Sequence, residues 1–399
     1  MKVLIADKLP ASALTAFGEA GFEVLSEPAL KDEALTARVA SSRAEVLVVR
    51  STKVDRATLE AGCLGLVVRA GAGVNTIDVA AASQLGVYVA NCPGKNAVAV
   101  AELTWGLLVG LDRRIPDATR DLRAGRWNKK EYGRARGLWG RTLGVVGVGA
   151  IGREVIARAK AFGMPVVAWS RSLDAEAARA FGVERAESPV DVAARSDAVS
   201  IHLALTDATR GCIGAEFFAA LRPGALFVNT SRGAVVDAEA LRIAVEEKGI
   251  RAGLDVWAEQ PATSEAEFSD PLAALPGVCG TPHIGASTEQ AQDAVAAEAL
   301  RVARTYKETG EVPNCVNLGA RSATPAALVV RHRDRVGVLA YVLAALREAG
   351  INVQEMRNVL FSGDDGAACA TIRLAHTPAP EVLTKLNAHD DVIEARIAL

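Results

Sequence analysis

The 399 residues are 50% hydrophobic and 23% charged, which excludes general disorder and leaves apolar surface for two or three domains of ordinary size. Forty-five basic side chains against 47 acidic ones give a formal net charge of −2, so no basic excess draws the chain to nucleic acid or an anionic membrane. No run reaches the ~20 apolar residues of a membrane span. The first dozen residues lack the basic flank and long apolar core of a secretory signal. Six scattered cysteines without C-x-x-C spacing read as reduced thiols with no metal, so the expected location is cytoplasmic.

In chain order, the apolar run 3–6 predicts a strand and 11–20 a helix, followed by short β-branched strands at 45–49 and 66–70. Residues 97–111 are apolar almost throughout, too short for a bilayer but suited to a buried helix between domains. A second alternating unit opens at Thr142, with a strand at 145–146, a helix at 153–162 and strands at 166–169, 198–203, 225–229 and 252–255. Residues 288–309 form a long Ala/Glu-rich helix, and 310–325, rich in Gly, Pro, Asn and Ser, is the best linker candidate. The remainder reads strand (327–331), helix (336–349), two strands (352–360 and 367–374) around a turn at 362–366, helix and strand, a small module of ferredoxin-like order.

The second unit begins with Gly147-Val-Gly149-Ala150-Ile151-Gly152. G-x-G-x-x-G after a strand and opening a helix is the fingerprint of a dinucleotide site. Its first glycine makes the tight turn, the second admits pyrophosphate, and the third allows close helix–strand packing. The acid expected ~20 residues on, at the ribose hydroxyls, is absent. Ser170-Arg171 stands there. Arg171 either attracts a 2′-phosphate or stacks on adenine, so NAD and NADP both remain open.

Three further segments fit one chemistry: Asn229-Thr230-Ser231-Arg232-Gly233, Gly253-Leu-Asp255-Val-Trp257, and Thr281-Pro-His283-Ile-Gly285. A carbonyl that accepts hydride next to a carboxylate needs a cation to hold that carboxylate, and Arg232 forks bidentately and stays charged. It also needs a proton donor titrating near neutrality, which His283 supplies.

Together with Val49-Arg50-Ser51, Arg69-Ala-Gly71-Ala72-Gly73-Val-Asn75 and residues 91–102, these motifs resemble the D-isomer-specific 2-hydroxyacid dehydrogenase family over residues 2–316. The resemblance implies two Rossmann-like doubly wound α/β domains. A discontinuous substrate domain (1–97 and 288–317) would carry an inserted NAD(P)-binding domain (98–287). It implies His283 as the general acid/base, Arg232 as the carboxylate-binding cation and Asp255 as the nicotinamide-amide contact. Ala150 and Ile151 fall at the pyrophosphate, Leu203, Thr230, Ser231 and Gly285 elsewhere around the cofactor, and Arg50, Ser51 and Gly73 in substrate loops.

The sequence departs from that pattern at Gln260, where the family carries a Glu that hydrogen-bonds the catalytic His, and at Ala72, where Thr or Ser is common. A neutral amide orients an imidazole without stabilising imidazolium as a carboxylate would. Residues 326–399, after a linker at 318–325, resemble an α+β ACT domain. That resemblance implies His332, Asp334 and Asn352 as effector ligands for L-serine, with a module kept only for assembly as the alternative. The activity implied first is oxidation of 3-phosphoglycerate to 3-phosphohydroxypyruvate, the opening step of serine synthesis, with Arg50, Lys53, Lys129 and Lys130 as candidate phosphate contacts. Reduction of hydroxypyruvate, glyoxylate or another short 2-keto acid with NADPH is the alternative, and a dinucleotide-sensing corepressor is a third reading from another class. The expected partners are a small-molecule acid and further copies of the chain, as a homodimer or homotetramer.

Overall fold

A computed structural model describes residues 1–261, 265–319, 326–362 and 366–398. These form two compact units, Met1–Asn317 and Leu318–Leu399. In the first unit, β1 (Lys2–Ile5), β2 (Glu23–Ser26), β3 (Val46–Val49), β4 (Leu66–Arg69) and β5 (Tyr88–Asn91) make a parallel sheet of order β2-β1-β3-β4-β5. A second parallel sheet has the order β12-β11-β10-β9-β6-β7-β8. Its strands are β6 (Leu143–Val146), β7 (Val166–Trp169), β8 (Glu184–Arg185), β9 (Ala198–Ile201), β10 (Leu226–Asn229), β11 (Arg251–Leu254) and β12 (Val278–Gly280). β3, β6, β9 and β10 are buried at every position, the mark of strands covered on both faces by helices. In both sheets the order reverses beside the first strand of the unit, the switch point where doubly wound folds open a crevice at the carboxyl ends of their strands.

Two helices join the sheets. Ala97–Arg113 buries eleven residues, among them Trp105, Leu108 and Leu111, and packs on β10, β11 and the helix Ala150–Ala161, where Trp105 stacks on Phe162. Its end is tied down by the buried Arg141–Asp112 ion pair, 3.1 Å. Glu289–Thr309 buries Val295, Ala299, Val302 and Ala303 in the core of the five-stranded sheet and also touches Ala97–Arg113. The expected helix at 153–162 starts three residues earlier, at Ala150, because the fingerprint glycine at 149 is itself the cap. The stretch 310–325, whose composition suggested a linker, is not linker throughout. Ala90 bridges Cys315, Val316 donates its N–H to the Val89 carbonyl, and Asn317 bonds both Val89 and Val87, so residues 315–317 lie along β5. Residues 320–325 and 363–365, in the linker and the expected hairpin turn, lie outside the described residues.

The second unit is an antiparallel sheet of β13 (Ala326–Arg333), β14 (Val353–Leu360), β15 (Ala367–Leu374) and β16 (Val392–Ala398) in the order β14-β15-β13-β16, with helices Val338–Glu348 and Pro380–Asn387. Leu328, Val330, Val342, Leu346, Ile372 and Leu386 make its core. The described cysteines are free thiols. Among the described residues no helix is long and apolar enough to cross a membrane, and no cluster of His, Cys, Asp or Glu could hold a metal.

Candidate active site

The fingerprint turn is shaped for a diphosphate. Gly147 has φ +102° and donates its N–H to the Trp169 carbonyl at 2.7 Å, while a Cβ there would sit 2.4 Å from the His202 carbonyl oxygen and 3.4 Å from Leu203. A Cβ on Gly152 would lie 2.1 Å from the Gly147 oxygen, yet one on Gly149 would meet nothing within 4 Å. Gly149 caps the Ala150–Ala161 helix with no side-chain acceptor, so the amides of that first turn face the open side of the loop. Two crowded glycines around an open one, at an uncapped helix N-terminus, fit a dinucleotide pyrophosphate. At the end of β7, Ser170 is half-buried and Arg171 exposed.

After β10 the chain folds around Asn229. Its Oδ1 accepts from the Ser231 N–H (3.0 Å) and hydroxyl (2.7 Å), and its Nδ2 donates to the Arg232 carbonyl (3.0 Å). Thr230 shares a hydrogen bond with Thr104 on the joining helix, 3.0 Å. This holds Arg232 with one guanidinium nitrogen on the Ser231 carbonyl, 2.6 Å, and the other so close to Gly73 that a Cβ there would approach to 2.4 Å. The Gly-rich loop after β4 is thereby brought against Arg232, and burial lowers the Arg232 pKa.

His283 is held by a second organising side chain, this one an acid. Asp255, buried at the end of β11, accepts at Oδ1 from the Thr281 hydroxyl (2.5 Å) and the Ile284 N–H (2.8 Å), and at Oδ2 from the Gly285 N–H (2.8 Å). The structure thus employs Asp255 in shaping the His283 turn, in which His283 itself has φ +55°. Gln260 Nε2 lies 2.8 Å from His283 Nδ1, and the Trp257 N–H reaches Gln260 Oε1 at 3.4 Å. The His283 pKa is lowered, first by desolvation and further by Arg232 and Arg69, with Asp255 opposing.

The sequence assigns no role to two further residues of this site. Arg69 ends β4 with its Nε buried and unpartnered, and its pKa falls to about 10 through burial and the neighbouring charges of Arg232 and Arg50. A buried guanidinium nitrogen without a partner, under the charges of two more arginines, has the chemistry of an anion contact. Asp7 is the other: its carboxylate accepts the N–H groups of Arg50, Ser51 and Thr52 (2.6, 3.1 and 3.0 Å) and the Ser51 hydroxyl (3.0 Å), which fixes the Arg50 loop and occupies Ser51. The only available signal was an arginine or aspartate at or just beyond the end of a buried strand.

The expected effector ligands are not brought together. His332 is buried, with Nδ1 2.7 Å from the Arg333 carbonyl and Nε2 3.2 Å from Asn358 Oδ1, so both ring nitrogens are engaged inside the unit. His332 lies in the row of Ala368 and Leu360, whereas Asn352 precedes Val353 in the row of Leu374. Ala368 and Leu374 are six residues apart along β15, or ~20 Å at the rise of a strand. Asp334 shares the His332 end, its N–H donated to the Gly366 carbonyl at 2.7 Å.

A doubly wound parallel sheet with a diphosphate cradle, facing an arginine and a histidine at the carboxyl ends of its strands, defines a dinucleotide-binding α/β protein. The model of the D-isomer specific 2-hydroxyacid dehydrogenase NAD binding domain matches residues 105–285. The chain is 41% identical over 291 residues to a hydroxypyruvate reductase of Thermotoga maritima, across 72% of this chain and 91% of that protein. It is 42% identical over 297 residues to a D-3-phosphoglycerate dehydrogenase of Methanocaldococcus jannaschii, across 74% of this chain but 55% of that longer protein. Among solved structures, the TT0316 protein of Thermus thermophilus is similar at TM-score 0.71 and 32% identity, over 79% of this chain and 100% of that one. An NAD+-bound 3-phosphoglycerate dehydrogenase of Entamoeba histolytica is similar at TM-score 0.67 and 26% identity, over 80% and 99%. The chain belongs to the D-isomer specific 2-hydroxyacid dehydrogenase family.

Proposed function

We propose that this protein transfers hydride between a nicotinamide dinucleotide and C2 of a small 2-hydroxy acid, with 3-phosphoglycerate, oxidised to 3-phosphohydroxypyruvate, as the leading substrate. The observation that carries the reading is that Arg232 and Arg69 both act on His283, with Arg50 beyond them acting on Arg69. A carboxylate needs one cation, and a phosphate on the same substrate gives the others a partner. The bound nicotinamide supplies the hydride acceptor in oxidation and the donor in reduction. Arg232 holds the substrate carboxylate by a bidentate pair. His283 takes the hydroxyl proton as hydride leaves C2, or returns it to the oxygen in reduction. Gln260 and the Asp255 turn orient the imidazole.

His283→Ala or Arg232→Ala should lower turnover on 3-phosphoglycerate at least ~100-fold, the usual cost of losing such a group, while dinucleotide binding by calorimetry persists. Near-parental turnover in either variant would exclude the assignment. Reduction of hydroxypyruvate or another short 2-keto acid is the second reading, favoured by Ser170-Arg171 in place of an acid. Side-by-side kcat/KM values for 3-phosphoglycerate and hydroxypyruvate separate the two. The second unit, as an ACT-like module, would bind L-serine and pair copies of the chain into a homodimer or homotetramer.

A further inference from the structure

We propose that Asn91 is a positioning residue for substrate binding, which fixes the Gly-rich loop 71–73 so that its carbonyls leave the guanidiniums of Arg69 and Arg232 to the substrate anion. The inference deepens the dehydrogenase reading above and rests on it. The loop follows β4 as Gly71-Ala72-Gly73 and meets a cation at each end. A Cβ on Gly71 would lie 1.6 Å from an Arg69 guanidinium nitrogen, and one on Gly73 2.4 Å from Arg232. Carbonyls in a loop flanked by two guanidiniums are the acceptors those cations take before an anion arrives. Asn91, the last residue of β5, claims the middle one: its Nδ2 donates to the Ala72 carbonyl at 2.6 Å. Cys92, the next residue, donates its N–H to the Gly71 carbonyl at 2.9 Å. With both carbonyls engaged from β5, the buried Nε of Arg69 has no partner in the protein.

Asn91 is itself seated from behind. Its N–H donates to the Asn314 carbonyl at 3.4 Å, and Asn314 Nδ2 donates back to the Asn91 carbonyl at 3.3 Å. Asn314 has φ +56°, a left-handed conformation that asparagine tolerates, and its Nδ2 also donates to Glu298 Oε1 at 2.7 Å. Glu298 is buried on the helix Glu289–Thr309 and is pinned in turn by Arg301 at 2.6 and 3.0 Å and by Lys95 at 3.4 Å. The hydrogen bonds from Arg301 and Asn314 hold its pKa down to about 2, so it remains a carboxylate at any working pH. A side chain whose supports are themselves hydrogen-bonded keeps one orientation, and here that orientation aims the Asn91 amide at Ala72.

The test pairs kinetics with calorimetric binding of oxalate, a dicarboxylate with no hydroxyl to oxidise, to the full chain saturated with a nicotinamide dinucleotide. Asn91→Ala should weaken oxalate binding and raise the KM for 3-phosphoglycerate about tenfold, the effect of one lost hydrogen bond. Its kcat should stay within about threefold of the parent, since a raised KM at constant kcat is the mark of lost binding. Asn314→Gly, which accepts the same φ, should show the same split at smaller size, and it carries the comparison if Asn91→Ala does not fold. Glu298→Gln, which keeps an acceptor for Asn314, should remain near parental. Dinucleotide affinity should be unchanged in all three. Parental oxalate affinity and KM in Asn91→Ala would overturn the proposal. So would a fall in kcat with KM kept, which assigns Asn91 to the chemical step, or an equal loss of dinucleotide and oxalate affinity, which assigns it to folding alone. A parent that binds oxalate but turns over no 2-hydroxy or 2-keto acid would overturn the dehydrogenase reading, and the oxalate comparison would still decide the role of Asn91.

Discussion

Gln260 holds His283 through an amide, and the orientation of that amide has a chemical consequence. With Oε1 taking the Trp257 N–H, the NH2 group faces His283 Nδ1 and donates to it, so the resting neutral ring carries its proton on Nε2, and to accept a substrate proton there it must first pass to the Nδ1–H tautomer with the amide turned to offer Oε1. An imidazolium would present N–H to NH2, and the amide would have to turn and release Trp257. This adds to the desolvation and the charges of Arg232 and Arg69 that lower the His283 pKa. A carboxylate at 260 would accept from Nδ1–H and favour the charged ring. Gln260→Glu should therefore raise the apparent His283 pKa by about one unit, or ~1.4 kcal/mol between protonation states. Reduction, which needs the protonated ring, should persist to higher pH in the variant. Oxidation, which needs the neutral ring, should begin to rise at higher pH. Profiles of kcat/KM in both directions measure this, and superimposable curves would assign the tuning elsewhere. The pairing was legible in the sequence because Gln260 and His283 each sit in a motif. The placements of Arg69 and Asp7 were not, since they come from segments brought together across the fold, Arg69 under the charge of Arg232 and Asp7 bonded to the Arg50 loop.

At the scale of an element, the Ala150–Ala161 helix is positioned by absence of side chain. A Cβ on Gly152 would lie 2.1 Å from the Gly147 carbonyl oxygen and 3.5 Å from Val145, and backbone on that side cannot yield without lifting the helix from β6. Gly152→Ala should thus push the helix N-terminus away from the glycine turn. The expected outcome is a loss of dinucleotide affinity of at least ~10-fold, with stability lower by about 1–3 kcal/mol, the usual cost of overpacking. Calorimetry and urea unfolding read the two effects, and an alanine variant with parental affinity would show that helix and strand are not held at contact. The element itself was readable from the spacing of its glycines and its apolar flank. Its start was not, because G-x-G-x-x-G contains no Ser, Thr, Asp or Asn to mark a cap. The linker misled for a related reason. Asn317, the kind of residue that signals a loop, spends its side chain on the edge of β5.

At the scale of the whole molecule, the unit Leu318–Leu399 has its own core and two edge strands, β14 and β16. Every residue of β14 but Val353 is exposed, and Met356, Val359 and Leu360 are 42, 40 and 65% exposed. A long edge strand with unpaired backbone groups is a template for another strand, and in a homo-oligomer the natural solution is a two-fold pairing with a second copy. Antiparallel pairing of β14 with its symmetry mate would set the Val353 end of one strand beside the Leu360 end of the other. That end carries the His332 row, so the six-residue offset along the strands between Asn352 of one copy and His332 of the other would vanish, with β15 and β14 still lying between them across the sheet. The consequence is testable with charge on the edge. The double variant Met356→Lys and Val359→Lys should lower the subunit number by sedimentation and abolish any L-serine binding by calorimetry. Residues 1–317, with their separate cores, should keep their dinucleotide affinity. An unchanged assembly that still binds serine would place the effector within a single module, and His332 would then have to give up Asn358 to receive it.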